Sequence, residues 1–366
     1  DGDILLFRRR FDLMSCDPKS GATTDIDLIA SGDGVTDPIE RSSVTSANRI
    51  AFTPDGKQMA FVSGQDVFVM DRILKEPVRV TDSAHDETSV AFSADGARLY
   101  FVSDVGGEAD IYEVTHSNED GIWWMDAEFT VRQVTDDPAV ERSLARSPDG
   151  SHIAYVKDTD IFVMDDDGTD HRRVAAMWSS PSFDWSPDGK WITYATQDDD
   201  YNSDIYVVPL DGTSEPFNIS RHPDRDSGPA WSGDGKRIAW VGRRDGDEAD
   251  IYWVELTKAE DEATERDATL EKALEAMKKK DAKGKKGKPG DKKSPDGDEE
   301  SSDADAAKIE KKEDDSKTCH IDFDGILDRI ERIRIPDSFE RGLIWGKDGS
   351  TLHFSATIDG QNAFYS

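Results

Sequence analysis

The sequence predicts an all-β fold: a β-propeller of about six four-stranded blades with the first incomplete, a further partial blade, and a charged disordered insertion. Three observations carry this prediction. A tight turn recurs as Thr53-Pro54-Asp55-Gly56, Ser93-Ala94-Asp95-Gly96, Ser147-Pro148-Asp149-Gly150, Ser186-Pro187-Asp188-Gly189 and Ser232-Gly233-Asp234-Gly235, with a weaker copy at Gly346-Lys347-Asp348-Gly349. Proline presets φ at the corner, aspartate tolerates the bend and glycine takes the left-handed position, so each copy between two apolar runs reads as a hairpin. The second observation is an aspartate opening an apolar strand, at Asp66-Val67-Phe68, Asp110-Ile111-Tyr112, Asp160-Ile161-Phe162, Asp204-Ile205-Tyr206 and Asp250-Ile251-Tyr252, with Asp12-Leu13-Met14 as an earlier member. The two signatures stay in step at a period of roughly 40 to 50 residues, the spacing of four-stranded blades. Third, the strand between them is apolar on both faces, as in Ile153-Ala154-Tyr155-Val156 and Ile238-Ala239-Trp240-Val241. A strand of that kind must be covered on both sides, as stacked blades do.

Each blade therefore has strand a ending at the turn, strand b after it, strand c opening at the aspartate, and an outer strand d. Blade 1 is read from Ile4 to about Ala30 as strands b to d, because the chain enters on Asp3-Ile4-Leu5-Leu6-Phe7 with no strand a before it. Blade 2 runs from Asn48 to Thr81, with Pro77-Val78-Arg79-Val80 as strand d. Blade 3 carries a longer c to d loop around Asn118 to Trp124 and an outer strand at Phe129 to Val134. Blade 4 spans Arg142 to Val174, blade 5 ends at Phe217-Asn218-Ile219-Ser220, and blade 6 reaches strand c at Ile251-Tyr252-Trp253-Val254.

There the pattern breaks. Residues 1–257 form the propeller portion and 258–317 an insertion, in which Ala263 to Lys280 has a thin helical stripe of Leu270, Ala273, Leu274 and Met277. Lys278 to Lys293 is basic with Gly and Pro, and Asp296 to Asp315 is mostly acidic with Ser and Ala, a composition with too few apolar residues to offset the entropy of ordering. Residues 318–366 then supply either the missing outer strand of blade 6 with a partial blade or the start of a second propeller. The chain stops at Ala363-Phe364-Tyr365-Ser366, inside a strand c, so the sequence is read as a piece of a larger protein.

Composition limits the function. Charged residues are 34% of the chain and the formal net charge is -33, a field that repels nucleic acid and anionic membranes. No apolar run approaches membrane-spanning length. The two cysteines, Cys16 and Cys319, make no disulfide framework, although a single bridge between them is open.

The residues that carry chemistry elsewhere are scattered here. His85, His116, His152, His171, His222, His320 and His353 lack ligand spacing, and neither a Gly-x-Ser-x-Gly elbow nor a His-Glu-x-x-His motif occurs. Asp165-Asp166-Asp167-Gly168-Thr169-Asp170 has the beginning of a calcium loop without its closing glutamate and is read as a hairpin turn. Asp198-Asp199-Asp200 and Asp224 to Asp226 are acidic loops, suited to basic peptides if they face an opening. Trp123, Trp124, Trp185, Trp231, Trp240 and Trp253 are read as blade packing. The sequence thus predicts no catalytic, cofactor-binding or metal-binding residue.

The turn and Asp-Ile-Tyr signatures resemble the repeats of the TolB propeller and of tricorn-type serine peptidases. Asn202-Ser203-Asp204-Ile205-Tyr206, Asn218-Ile219-Ser220-Arg221-His222-Pro223, the charged insertion, and Ile321-Asp322-Phe323-Asp324-Gly325-Ile326 leading to Arg329-Ile330 and Arg332-Ile333 together resemble the N-terminal half of large bacterial tricorn-like peptidases. That resemblance implies downstream PDZ-like and peptidase domains, in which the catalytic serine lies, and peptides or unfolded segments as partners. It also implies a cytoplasmic location and homo-oligomerisation. The alternative resemblance, a TolB-like interaction propeller with no enzyme, implies a periplasmic one.

Overall fold

The computed structural model describes residues 4–9, 12–26, 46–117, 121–126, 128–198, 200–245, 248–264, 266, 269–270, 318–336, 338–358 and 360–366. The disordered segment expected over 278–317 and most of the helix expected from Ala263 to Lys280 lie outside these residues, as does Asp199. The chain divides into two compact units, Asp1–Pro181 and Ser182–Ser366.

The strands are those of propeller blades. The first unit holds a three-stranded blade, Leu5–Arg9, Asp12–Cys16 and Thr23–Ile26, and three four-stranded ones. These are Asn48–Phe52, Gln58–Ser63, Asp66–Asp71 and Val78–Arg79; then Glu87–Phe92, Arg98–Ser103, Asp110–His116 and Phe129–Gln133; then Glu141–Arg146, His152–Lys157, Asp160–Asp165 and Arg172–Ala175. In the second unit, blade 5 is Ser182–Trp185, Trp191–Gln197, Ser203–Pro209 and Phe217–Asn218. Blade 6 is Arg225–Trp231, Arg237–Asp245 and Glu248–Glu255 with Ile330–Ile333 outermost, and three more strands follow at Phe339–Trp345, Leu352–Ile358 and Gln361–Tyr365. Neighbouring strands within each blade are antiparallel. Ile251 lies opposite Ile333 and Val254 opposite Ile330, so residues 258–317 are inserted between strands c and d of blade 6.

Strand b is apolar on both faces because it packs against two neighbours. In blade 3, Leu99 and Phe101 join Val62, Val67 and Val69 of blade 2, while Tyr100 and Val102 join Ile153, Tyr155 and Met164 of blade 4. All eight of Leu99 to Val102, Ile153, Tyr155, Met164 and Val67 are at most 3% exposed, and burying such a side chain is worth about 1.5–3 kcal/mol. In the second unit Trp240, Ile238 and Tyr252 meet Ile205, Val207 and Ile219 of blade 5.

The repeated turn is held by a fixed set of bonds. In blade 5 the Ser186 hydroxyl donates to Asp188 Oδ1 (2.6 Å) and accepts from the Trp191 N–H (2.9 Å), while the Lys190 N–H donates to Asp188 (3.1 Å). Gly189 sits at φ 70° and is buried, whereas Lys190 is exposed. Replacing Gly189 by Val therefore places a β-branched side chain in the left-handed region, a strain on the order of 1–3 kcal/mol. Lys190→Ala leaves every one of these bonds intact. We expect Gly189→Val to lower the thermal midpoint clearly and Lys190→Ala to leave it nearly unchanged; equal midpoints would contradict the turn.

One α-helical turn, Lys258–Asp261, follows strand c of blade 6, its N-terminus capped by the Thr257 side chain accepting from Glu260 N–H. Among the described residues no helix is long and apolar enough to cross a membrane. Cys16 and Cys319 are both free thiols, and burial pushes Cys319 up to about 12.

Candidate functional site

The two ends of each blade use their carboxylates differently. At the turn end the aspartates are consumed locally. Asp55, Asp95, Asp149, Asp188, Asp234 and Asp348 each accept the N–H two residues on. The Lys57 N–H and the Thr53 hydroxyl hold Asp55 at about 2.

At the opposite end, where strand c opens and the next strand a enters, carboxylates meet in pairs across blade junctions. A single backbone bridge sets each pair. Glu87 N–H donates to Gln65 O (3.2 Å) and Glu141 N–H to Ala109 O (2.8 Å), while Ser203 lies opposite Arg225 and Ala249 opposite Phe339 in parallel register. The residue before the strand-c aspartate is thereby fixed beside the start of the following strand a. This brings Asp66 to Glu87, Asp110 to Glu141, Asp204 to Asp226 and Asp250 to Glu340, and all eight side chains are buried.

The partners of the strand-c aspartates come from strand d. Arg79 reaches Asp66 (3.1 Å), Gln133 reaches Asp110 (3.1 Å), Asn218 reaches Asp204 (2.7 Å) and Arg332 reaches Asp250 (Nε, 3.0 Å). Arg9 also contacts Asp66, and Arg244 forks onto Asp226 with its guanidinium 4.5 Å from the Tyr252 ring centroid. A hydroxyl at the end of strand d completes the arrangement in three blades. Thr81, Thr135 and Ser220 accept the N–H of Val67, Ile111 and Ile205 at 2.8, 2.8 and 3.0 Å. Of the strand-a acids the sequence marks only Asp226, as part of an acidic loop; Glu87, Glu141 and Glu340 carry no local signal. The signal for the hydroxyls is present, however, as Val80-Thr81-Asp82, Val134-Thr135-Asp136 and Ile219-Ser220.

Burial dominates the titration of these acids. It pushes Glu87 up to about 7 against the hydroxyls of Ser83 and Thr81, and Glu141 up to about 7 against Lys157. Asp226 and Glu340 are raised for the same reason. In the first unit this end also holds a cleft of about 690 Å³, lined by Asn48, Arg49, Gln65, Asp86, Glu87 and Thr88. The lining carries two acids, Asp86 and Glu87, one cation, Arg49, and the polar side chains of Asn48, Gln65 and Thr88, groups that can bind amide and charged partners.

The sequence candidates fall apart in space. His85 lies against Asp104 (3.4 Å), His116 against Asp126 (3.7 Å) and His152 against Asp165 (3.5 Å). His171 Nδ1 is 2.8 Å from the Tyr155 hydroxyl and its Nε2 is 3.2 Å from Gly168 O, which fits a neutral ring; burial holds its pKa low. His222 Nδ1 accepts the Asp224 N–H, and His320 and His353 are exposed. Asp165 to Thr169 is a turn closed by Asp165 N–H to Thr169 O (2.8 Å), with Asp167 accepting from Thr169, and the Asp166 carboxylate takes both its bonds from the Ala94 N–H of the preceding blade. Among the described residues no group of three His, Cys, Asp or Glu is arranged to hold a metal ion. Asp198 is spent on the Asp200 and Asn202 N–H groups. Asp226, expected on an exposed acidic loop, is instead buried and neutralised by Arg244, which leaves Asp224 and Asp200 as the exposed members of those loops. Trp123 and Trp240 are fully buried and Trp185 and Trp231 nearly so; the Trp123 Nε1–H donates to Gly96 O (2.8 Å).

No protein-family model matches the chain, and no curated protein matches it in sequence. Solved structures do. The chain is similar to the tricorn protease, with 12% identity and a TM-score of 0.54 over 100% of this chain and 34% of that one. It is also similar to TolB from Acinetobacter baumannii, at 17% identity and a TM-score of 0.43 over 69% of this chain and 60% of that one. A third likeness is to the Swd1 β-propeller domain of Myceliophteria thermophila, at 12% identity and a TM-score of 0.41 over 69% of this chain and 89% of that one. At these identities the likeness is one of fold, and the chain spans about a third of the tricorn protease's length.

Proposed function

We propose that this chain is the non-catalytic propeller portion of a tricorn-like serine peptidase, which docks or gates peptide substrates for a catalytic domain elsewhere in the parent protein. The observation that carries the reading is the fold likeness to the tricorn protease, which extends over the whole chain, including the strands that follow the insertion. Acyl transfer needs an activated nucleophile, a base to take its proton and oxyanion donors in one place. The described histidine rings that have a side-chain partner here face Asp104, Asp126, Asp165 and Tyr155 rather than a serine or cysteine. What the chain offers a peptide is an acidic surface and a polar cleft of about 690 Å³ with Asp86 and Glu87 in its lining. A net charge of -33 favours basic segments and makes their capture sensitive to salt.

The purified chain is therefore expected to bind Lys- and Arg-rich peptides with an affinity that falls as salt rises, and to leave fluorogenic peptides uncleaved. Turnover abolished by a serine-directed inhibitor would refute the non-catalytic assignment. Binding that ignores salt and peptide charge would refute the docking role. A full-length reading frame ending without a peptidase domain would favour a TolB-like interaction module instead.

A further inference from the structure

Two of the four junction pairs are built differently from the others. Asp204 and Asp226 have their oxygens engaged, by Asn218, Ser220 and the His222 N–H on one side and by Arg244 on the other. Asp66 has Arg9 and Arg79, and Glu87 has the hydroxyls of Thr81, Ser83 and Ser103. In the pair of Asp110 and Glu141, by contrast, Asp110 Oδ1 and Glu141 Oε2 have no hydrogen-bond partner among the described residues. Asp250 Oδ1 and Glu340 Oε2 repeat this in the second unit. These four residues are at most 3% exposed. Ionised carboxylate oxygens left unpaired at such depth carry a large desolvation cost, and a proton removes it.

The surrounding charges supply only part of the missing compensation. Around Glu141 stand Asp110 and Asp137, with Lys157 as the cation, 3.3 Å from Glu141 Oε1 and also paired with Asp137. Tyr155 and Tyr112 face Glu141 and Asp110 respectively, and Asp136 faces Tyr112. Around Glu340 stand Asp250 and Glu248, with the Ser338 hydroxyl on Oε1. Arg332 is committed to Asp250 and Arg334 to Glu248, while Tyr252 faces Asp250.

We propose that the Asp110/Glu141 and Asp250/Glu340 junctions are proton-binding sites, in which the glutamate takes up a proton that is released to solvent on alkalinisation. Each glutamate is buried, and the like charge of the strand-c aspartate stands beside it, so burial first and repulsion second favour its protonated form. Blade packing is then tightened by acid and loosened by base. Burial has already raised Glu141 to about 7 and raised Glu340, in accord with the geometry. The sign follows from linkage. A carboxyl whose pKa is higher folded than unfolded stabilises fully below its unfolded value near 4.5, and the contribution is lost as pH rises through about 7. His116 and His171, both lowered by burial, act in the opposite direction, so the effect is read as a difference between wild type and variant.

The test uses the full chain with Glu141→Gln and Glu340→Gln, amide stand-ins for the protonated acid. Thermal midpoints are measured between about pH 5 and pH 8.5, and the infrared carbonyl stretch of protonated carboxylic acid is recorded at neutral pH. Each variant is expected to gain on wild type as pH rises and to lose part of the protonated-acid band. Asp226→Asn, whose charge is matched by Arg244, is expected to leave the band unchanged. Should a glutamine variant not fold, Asp110→Asn or Asp250→Asn removes one of the like charges that favour the protonated glutamate and is expected to weaken the same band. An undiminished band in the variants at both junctions, together with midpoints that track wild type across the pH range, would overturn the proposal.

Discussion

Arg329→Met is expected to destabilise the second unit by on the order of 3–5 kcal/mol, through the loss of several charge-assisted hydrogen bonds. Arg329 is only 4% exposed and its guanidinium donates to four main-chain carbonyls, Glu255 O (2.9 Å), Asp324 O (3.2 Å), Leu256 O (3.3 Å) and Asp322 O (2.5 Å). Two of these end strand c of blade 6 and two belong to the segment that returns after the insertion. One side chain thereby fastens together the two stems of residues 258–317. Around it the Asp322 N–H donates to Leu256 O (2.8 Å), Phe323 packs 4.6 Å from the Phe217 ring centroid, and the Cys319 N–H reaches Asp188 (2.9 Å). Methionine fills a similar volume but takes the guanidinium donor from the buried Glu255 carbonyl and from the partly buried Asp322 and Asp324 ones, while Leu256 O keeps the Asp322 N–H, and that loss is where the cost arises. Lys258→Ala is the comparison. Lys258 pairs with Asp324, but the two side chains are 51% and 95% exposed and the pair is screened by solvent, so its loss should leave the midpoint close to that of wild type. Urea unfolding followed by tryptophan fluorescence measures both, Trp191 lying against Phe323 as a local reporter. A midpoint for Arg329→Met equal to that of Lys258→Ala would show that the clamp is dispensable.

This clamp also shows what the sequence can and cannot disclose. The run Ile321-Asp322-Phe323-Asp324-Gly325-Ile326 was legible as the return of order, and its distance from strand c of blade 6 marked a missing outer strand. Its residues have structural duties that no local pattern announces, because their partners are about 70 to 130 positions away, as Arg329 to Glu255 and Cys319 to Asp188 are. The blades were legible because each depends on short-range chemistry repeated at a fixed period, a serine bonded to an aspartate two residues on and an aspartate at the head of a strand. The junction acids were not. Glu87, Glu141, Asp226 and Glu340 share no local motif, and they become a set only when parallel bridges place them beside the strand-c aspartates of the preceding blades. In a chain so rich in Asp and Glu, a buried carboxylate looks like any solvated one until its neighbours are known.

Among the five clear copies of the turn, two lack its proline, at Ala94 and Gly233, and these lead to the second large effect. Replacing Gly233 or Ala94 by the proline found at Pro54, Pro148 and Pro187 restores the repeat, and in a free turn such a change stabilises by about 0.4–1 kcal/mol through the unfolded chain. Here both are expected to destabilise, by on the order of 1–3 kcal/mol each. At Gly233 the space is taken: a Cβ placed there would lie 2.6 Å from Lys347 O and 2.9 Å from Lys347 C, both main-chain atoms of the next blade's turn. The same two turns are tied by Arg237 donating to Gly349 O (3.1 Å), so the neighbour cannot withdraw without breaking that bond. Gly233→Ala separates sterics from ring chemistry and should already show most of the loss. At Ala94 there is room for a Cβ, but the N–H is in use, donating to both oxygens of Asp166 at 2.8 and 3.0 Å. Proline has no N–H, and Asp166, whose pKa burial already raises, would keep its charge without that donor. Ala94→Gly, which retains the N–H, should cost far less than Ala94→Pro. Thermal midpoints of the four variants decide the matter: if both proline variants melt at or above wild type, turn propensity outweighs contact with the next blade, and the departures at 94 and 233 have no structural cause.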